Sequence, residues 1–293
     1  MKQVQNIKTI NCANSFKLII QTLLILLFSN TGIKAQKEFD DIRGTQHWMQ
    51  FSDAPNSLYH YIAGQAYAYL DKRSAKIARI HSLPEWQQRQ EWIRNTLRRV
   101  VGPFPAKTAL HARVTQSINK DGYRIEDIIY ESQPGYFVTS SLFIPDKFQN
   151  AKGPVIIYCI GHTFTGYAAS QATLLNLVKK GFIVFAFDPM GQGERLQYFN
   201  PQTGKSRFKY PSYEHSYPGA QLFISGNTLA RDFIWDGIRA VDYLLTRKEV
   251  DPSRIGISGR SGGGTQSAYI AAFDDRIKAA APENYITNFT RLF

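Results

Sequence analysis

The sequence predicts an α/β fold in which a mostly parallel sheet carries helices on both faces. Three observations predict it. Apolar strand-like runs alternate with helical patterns from residue 119 onward, a glycine-flanked serine stands where one strand passes into a helix, and a purely helical segment precedes both features. Alternating strands and helices are typical of parallel sheets, because a crossover helix returns the chain to the edge where the previous strand began.

The first 35 residues predict a secretory signal peptide. Lysines precede an apolar run over residues 18–28, and Ala35 is a small residue suited to export cleavage. The run falls short of the roughly 20 residues that a spanning helix needs. We therefore expect a mature chain that is secreted or periplasmic, with no stable membrane association. Removing the four lysines of this segment would lower the formal charge from +12 to +8.

Residues 36–118 predict a helical segment. Apolar and aromatic residues recur at helical spacing over residues 54–80, and Ser82 and Pro84 are typical of the start of a second helix. The predicted buried stripe of that second helix consists of Trp86, Trp92, Ile93, Leu97 and Val100. We expect these aromatic residues to pack on the next domain rather than to stack on a sugar.

Residues 119–293 predict the sheet and its helices. Strands are expected over residues 123–130, 136–144, 154–160, 182–187, 254–257 and 277–286. Helices are expected over residues 168–180, 229–245 and 263–272. The polar stretch 197–226 is rich in Tyr and Pro without a clear period, so we expect a long loop there.

Residues 259–263 read Gly-Arg-Ser-Gly-Gly, a G-x-S-x-G pattern that follows a predicted strand and opens a predicted helix. Such a turn exposes its serine to substrate, and small flanking residues let the backbone fold back on itself. Ser261 is therefore the predicted nucleophile. The alternative is a serine that only caps the helix.

An ester-cleaving serine needs two backbone N–H groups for the developing oxyanion. The amide after the nucleophile, here Gly262, is one candidate. The second is expected from the loop after the strand 154–160, with the amide of His162 as first choice and that of Thr163 as second. The His162 ring is not the expected general base, because this arrangement places its histidine last in the chain.

Four other residues are candidates for the site. Asp188 and Glu194 are expected to brace their loop through backbone amides and Arg195, and a substrate contact by His215 is the less favoured interpretation. Cys159 lies in an apolar run and is expected in the core.

The carboxylates that follow Ser261 are Asp274, Asp275 and Glu283, and no histidine follows it. None of the three carboxylates occupies the expected place of a catalytic acid beyond the next strand. The sequence therefore predicts an α/β domain that is incomplete at its C-terminus, and a chain that is inactive alone because a catalytic acid and histidine are lacking.

Charge and ligand-type residues point to no further partner. Basic side chains alternate with acidic ones, and the cluster Arg94, Arg98 and Arg99 has the spacing of a solvated helix face, so no nucleic acid is expected. No grouping of His, Cys, Asp or Glu suggests a metal. We expect no cofactor.

Several segments together resemble a known family. They are Tyr130-Glu131-Ser132, Gly161-His162, the run from Asp188 to Arg195, Glu214-His215-Ser216-Tyr217, the run from Ile234 to Ala240, and the run from Gly259 to Thr265. In this order they resemble secreted bacterial acetyl xylan esterase-like α/β-hydrolases, relatives of dienelactone hydrolase. The resemblance implies the α/β-hydrolase fold and serine-dependent deacetylation of a polysaccharide or oligosaccharide through an acyl-enzyme, without a cofactor. Many members carry glutamine where this chain has Gly262.

Two alternatives remain open. One is a serine peptidase of the prolyl oligopeptidase type, although residues 54–101 lack the period of the propeller that such enzymes carry. The other is a truncated product without catalytic activity, which the absence of a histidine after Ser261 favours.

Overall fold

The computed structural model describes residues 53–292, apart from the side chain of Ala54. The predicted signal peptide and the beginning of the predicted helical segment lie outside these residues. The described chain forms two compact units. One runs to Arg79 and also takes in Leu292, and the other comprises residues Ile80–Arg291.

Two helices begin the described chain, α1 (Ser57–Ile77) and α2 (Leu83–Val101). The start of α2 is as predicted. Ser82 Oγ accepts a hydrogen bond from the Glu85 amide, and the Glu85 carboxylate accepts one from the Ser82 amide at 2.9 Å. This reciprocal capping box satisfies backbone donors that the first helical turn leaves free. No helix of the described residues is long and apolar enough to cross a bilayer.

The predicted buried stripe of α2 is wrong for most of its residues. Trp86 and Trp92 are 45% and 54% exposed, and Val100 is 64% exposed. The helix is anchored at its C-terminal end instead, where Val101 is buried in a cluster with Ile234 and other apolar residues. The helix itself is as predicted, but the rest of this unit does not cover Trp86, Trp92 and Val100.

The main sheet has seven strands in the order β1-β2-β3-β5-β4-β8-β9. The strands are β1 (Arg113–Lys120), β2 (Tyr123–Gln133), β3 (Tyr136–Pro145), β4 (Gly153–Cys159), β5 (Ile183–Phe187), β8 (Val250–Arg260) and β9 (Ala279–Glu283). The first three form an antiparallel arm that joins β5, whereas β5, β4, β8 and β9 run parallel. Parallel neighbours end at one edge of a sheet, and Cys159 of β4 is paired there with Gly259 of β8.

Helices cover both faces of the sheet, as predicted. Helix α3 (Gln171–Lys179) packs in a cluster with Tyr158 and Val184. Helices α5 (Leu229–Leu244) and α6 (Gly262–Phe273) contribute to the larger cluster around Ile157 and Phe185. Because consecutive residues of β4 and β5 enter opposite clusters, these central strands are buried on both sides, which explains their almost uninterrupted apolar sequences.

Two segments differ from the prediction. The last residues of the predicted helical segment 36–118 belong to β1, which pairs with β2 from Arg113 to Lys120. The predicted loop 197–226 contains a short hairpin, β6 (Phe199–Asn200) and β7 (Lys205–Ser206), followed by helix α4 (Tyr213–Ile224). Helix α4 contains Pro218 and Gly219, both of which weaken a helical signal in the sequence.

Candidate active site

Ser261 occupies the sharp turn between β8 and α6. Its φ of 58° and ψ of −118° are unusual for a residue with a side chain, and such backbone strain costs about 1–3 kcal/mol. Two hydrogen bonds hold the turn. The Ser261 amide donates to the Glu283 carbonyl at 2.9 Å, and the Thr265 amide donates to the Ser261 carbonyl at 3.0 Å. Ser261 is exposed.

Glycines make this turn possible because backbone fills the space beside them. A Cβ atom on Gly259 or Gly263 would collide with the carbonyl oxygen of Cys159, and one on Gly264 would collide with that of Glu283. Backbone atoms at these positions cannot rotate aside as a side chain can. The turn is thereby wedged between the ends of β4 and β9.

The loop after β4 lies against this turn. A Cβ atom on Gly161 would lie 2.8 Å from the Arg260 carbonyl oxygen and 3.6 Å from Ser261 Cβ. In the described chain the amides of His162 and Gly262 donate to no protein acceptor. The Thr163 amide, in contrast, donates to Gln192 Oε1 at 2.7 Å. Of the two predicted choices for the second donor, His162 is thus the one with a free N–H group.

The side chains of His162 and His215 meet beside the turn. His162 Nε2 lies 3.0 Å from His215 Nδ1, and His215 Nε2 lies 2.7 Å from the carbonyl oxygen of Met190. The other edge of the His162 ring packs on Gly262, with Nδ1 2.9 Å from the position that a Cβ atom there would take. Two histidines 53 residues apart thus form one hydrogen-bonded row, the histidine row, which ends at the turn that carries Ser261.

Both rings favour the neutral form. Burial lowers the pKa of His215 to about 4, with a further contribution from the nearby His162 ring, while the bond to the Met190 carbonyl acts in the opposite direction. Partial desolvation also lowers the pKa of His162. The Phe233 ring lies edge-on to His215, with ring centroids 5.0 Å apart. Near neutral pH the row therefore carries no charge.

Comparison with known proteins places this geometry in a family. The family model "Acetyl xylan esterase (AXE1)" matches residues 95–293, which include the serine turn, the His162 loop and His215. The chain belongs to the acetyl xylan esterase family.

Individual relatives agree with this family. The chain is 26% identical over 204 residues to YtaP of Bacillus subtilis, which is described as a hydrolase, and the match covers 63% of this chain and 60% of YtaP. A crystal structure described as an acetyl xylan esterase from Bacteroides fragilis shares the α/β-hydrolase fold, with a TM-score of 0.58 and 21% identity over 68% of this chain and 54% of that one. Methylesterase BT1017 has a TM-score of 0.53 and 25% identity over 73% of this chain and 45% of its own. The chain thus spans about half of the length of these relatives.

In this acetyl xylan esterase family member, Asp188 supports the loop below the histidine row. Its carboxylate accepts hydrogen bonds from the amides of Tyr167 and Glu194 and from Thr139 Oγ1, at 3.0–3.2 Å. Burial raises its pKa despite these donors. The prediction that Asp188 braces its loop through backbone amides is confirmed, whereas Arg195 binds the Asp188 carbonyl and not its carboxylate.

The prediction for Glu194 is wrong. Its exposed carboxylate accepts no hydrogen bond from the described residues, and Arg195 turns away from it. Arg195 Nη1 binds Asp236 Oδ2 at 2.8 Å and the Asp188 carbonyl at 2.8 Å, and both members of this ion pair are buried. The pair ties the loop to helix α5, a long-range contact that sequence spacing does not reveal.

Two of the three acidic residues after Ser261 pair with arginines, and for the third, Glu283, only the backbone carbonyl contacts Ser261. Asp274 pairs with Arg276 at 2.6 Å, and Asp275 lies 3.5 Å from Arg94. Within residues 53–292, Ser261 Oγ forms no hydrogen bond with any side chain, His162 included. Cys159 is buried in the core, as predicted, and burial raises the pKa of its thiol.

A cavity of about 840 Å³ opens next to the His162 loop. Phe164 and Thr165 of that loop form one wall, and Phe199, Lys205 and Phe208 of the β6–β7 region form another. Ser261 does not line it. Its lining combines the aromatic rings of Phe164, Phe199 and Phe208 with the polar side chains of Thr165 and Lys205.

Sequence reasoning found Ser261 and its neighbours but gave little weight to His215. Its pairing with His162 depends on the fold of residues 197–226, which the sequence did not reveal. The available signal was Gly191, whose missing side chain leaves room for His215: a Cβ atom there would lie 2.9 Å from His215 Cδ2.

Proposed function

We propose that this protein is a serine carboxylic-ester hydrolase that removes acetyl groups from a polysaccharide or oligosaccharide. The observation that carries the proposal is the strained exposed Ser261, flanked by the free amides of Gly262 and His162, in a chain of the acetyl xylan esterase family. The name of the Bacteroides fragilis relative supports the choice of substrate.

The proposed reaction has two steps. Ser261 Oγ attacks the acetyl carbonyl carbon while a general base takes its proton, and the Gly262 and His162 amides donate hydrogen bonds to the carbonyl oxygen as it becomes negative. The sugar oxygen leaves with a proton, and the acetyl group stays on Ser261 as an ester. Water then attacks this acyl-enzyme, releasing acetate and restoring the serine.

The residues described here hold no base against Ser261 Oγ. The proposal therefore includes the expectation that residues 1–293 alone show no serine-dependent hydrolysis. Purified 293-residue chain and its Ser261→Ala variant should hydrolyse nitrophenyl acetate equally. A clear serine-dependent rate would instead identify a base within this chain, because the nucleophile needs one.

The test of the function uses the full-length product of the gene and acetylated xylan as substrate. Acetate release should fall at least about 1,000-fold in Ser261→Ala, since the acyl-enzyme can no longer form. Ser258→Ala is the matched control, because Ser258 lies three residues before Ser261 within β8 and its hydroxyl only donates to the Ala281 carbonyl. Equal rates for wild type and Ser261→Ala would remove Ser261 from the mechanism, and cleavage of peptides instead of acetyl esters would favour the peptidase alternative.

We further propose that the protein acts outside the cytoplasm. The support is the lysine-rich and then apolar sequence of residues 1–35. Mass spectrometry of the exported protein should find Gln36 as the first residue. Retention of residues 1–35 on the exported protein would refute the proposed cleavage.

A further inference from the structure

The hydrogen bonds of the histidine row have only one possible direction. A carbonyl oxygen can only accept, so the Met190 carbonyl requires a proton on His215 Nε2. In a neutral His215 ring Nδ1 then has a lone pair and accepts from His162 Nε2–H. A neutral His162 with its proton on Nε2 has a bare lone pair on Nδ1. The histidine row therefore places a hydrogen-bond acceptor, His162 Nδ1, beside the turn that carries Ser261.

The position of that acceptor follows from the packing of the ring. His162 Nδ1 and Cε1 lie 2.9 and 3.0 Å from the position of a Cβ atom on Gly262. The ring thus occupies the space into which a side chain at position 262 would project, next to the nucleophile. His162 is exposed, so a bound molecule can reach its edge.

We propose that His215 is a positioning residue that fixes the His162 ring over Gly262, and that His162 Nδ1 accepts a hydrogen bond from a free hydroxyl of the substrate beside the ester to be cleaved. This inference rests on the proposed function. It names the substrate class as partly acetylated sugars, since a fully acetylated ring has no hydroxyl to donate. An ester group carries only acceptors, so this lone pair recognises the neighbouring hydroxyl and not the acetyl group itself.

The groups around the histidine row favour the hydrogen bond from His162 Nε2–H to His215 Nδ1 over its reverse. The elements packed on His215 contribute Phe233 from α5, the Met190–Gly191 backbone and the His162 ring. The adjacent Glu214 carboxylate is directed elsewhere and accepts from the Gln197 and Tyr198 amides and from Ser206. A proton on His215 Nδ1 would reverse the hydrogen bond between the rings: His162 Nε2 would then accept, and His162 would carry its own proton on Nδ1, where the acceptor would be lost. The depressed pKa of His215 prevents this at neutral pH.

The first experiment tests the row without any need for catalysis. In ¹⁵N-labelled 293-residue protein, a through-hydrogen-bond coupling is expected between His162 Nε2 and His215 Nδ1 at neutral pH. The coupling should be absent in His215→Phe, which keeps a ring but has no acceptor. In His215→Asn, whose amide oxygen can accept in place of Nδ1, the His162 Nε2 proton should stay protected from exchange with solvent, whereas in His215→Phe it should exchange rapidly. Absence of the coupling in the folded wild-type protein would overturn the proposed row.

The second experiment tests the acceptor in the Ser261→Ala protein, where an ester is not consumed. The probes are methyl xyloside monoacetate with a free neighbouring hydroxyl and the same compound with its other hydroxyls methylated. The first should move the His162 Nδ1 resonance upfield in a saturable way, and the second should leave it unchanged. The shift should be lost in the Ser261→Ala, His215→Phe double variant. Equal shifts from both probes, or none, would overturn the acceptor role.

These outcomes separate the two proposals. A coupling and a hydroxyl-dependent shift, combined with acetate release that does not depend on Ser261, would refute the proposed mechanism and leave the histidine row standing. Serine-dependent acetate release without a coupling would refute the histidine row and leave the proposed mechanism standing. In the full-length enzyme, His215→Phe should lower kcat/KM for the hydroxyl-bearing ester by about tenfold more than it lowers kcat/KM for the methylated ester, as expected for one lost hydrogen bond.

Discussion

The Nδ1 atom of His162 lies 2.9 Å from the position that a Cβ atom on Gly262 would occupy, whereas the space beside Gly263 is filled by the backbone of Cys159 and Ile160. Adjacent glycines of the serine turn are therefore constrained by different neighbours. One faces a ring that can move, and the other faces a strand end that cannot.

This contrast predicts different results for one substitution at two neighbouring positions. Gly263→Ala should lower the free energy of unfolding by about 3 kcal/mol or more, because the new methyl group meets backbone. Gly262→Ala should lower it by no more than about 1 kcal/mol, since the exposed His162 ring can turn aside, but the His162–His215 coupling should disappear. Urea denaturation and ¹⁵N spectra provide the measurements. Similar losses of stability for both variants would contradict the conclusion that Gly262 faces a movable ring and Gly263 faces fixed backbone.

The backbone of Ser261 predicts that glycine is favoured there. Glycine tolerates a φ of 58° without strain, so Ser261→Gly should be about 1 kcal/mol more stable to urea than Ser261→Ala. At Ser258, which lies within β8 and has no positive φ, the order should reverse because glycine weakens a strand. If alanine is the more stable replacement at both positions, the turn of Ser261 is not strained in solution.

The low pKa of His215 predicts a loss of stability in acid. In the unfolded chain His215 titrates near its ordinary pKa of about 6.5, whereas in the folded protein it titrates at about 4. The unfolded state therefore binds more protons between these values, and stability falls as pH drops from about 6.5 to 4. His215→Phe should remove about 2 kcal/mol of the difference in unfolding free energy between pH 7.5 and 4.5. An unchanged difference would show that His215 titrates normally.

The buried ion pair of Arg195 and Asp236 predicts a large penalty when one partner is removed. Asp236→Ala leaves the buried Arg195 charge uncompensated and should cost about 3–5 kcal/mol in unfolding free energy. Asp251→Ala is the matched control, because Asp251 pairs with the exposed Arg254 at 2.6 Å and water replaces the lost partner. Equal sensitivity of the two variants to urea would argue that the Arg195 pair is hydrated.

Several elements could be predicted because their signals are local. The capping box at Ser82, the apolar runs of β4 and β5 and the strand-to-helix glycines of residues 259–263 each lie within a few residues of sequence. Strand β1 could not be predicted, because its side chains are exposed or half-buried and its hydrogen bonds go to β2 alone. An edge strand without a buried face leaves little hydrophobic pattern.

The candidate site was likewise predictable only where its residues lie at strand ends. Ser261, Gly262 and the His162 loop follow from strand ends that meet at one edge of a parallel sheet. The role of His215 could not be predicted, because it depends on a helix that contains Pro218 and on a contact across 53 residues. The prediction for Glu194 failed because it relied on sequence proximity alone. The charge of Glu194 suggested an ion pair with the next residue, but Arg195 pairs with the buried Asp236 instead.

The backbone hydrogen bond between Ser261 and Glu283 also affects how the protein is made. A nascent chain that has just exposed Ser261 lacks the acceptor that holds this residue, since β9 is still inside the ribosome. At about 5–20 residues per second, the chain needs about 1–4 s to advance by the 22 residues that separate the two positions. During that interval β8 is an unprotected sheet edge, so the turn that carries the serine takes shape only after β9 has left the ribosome.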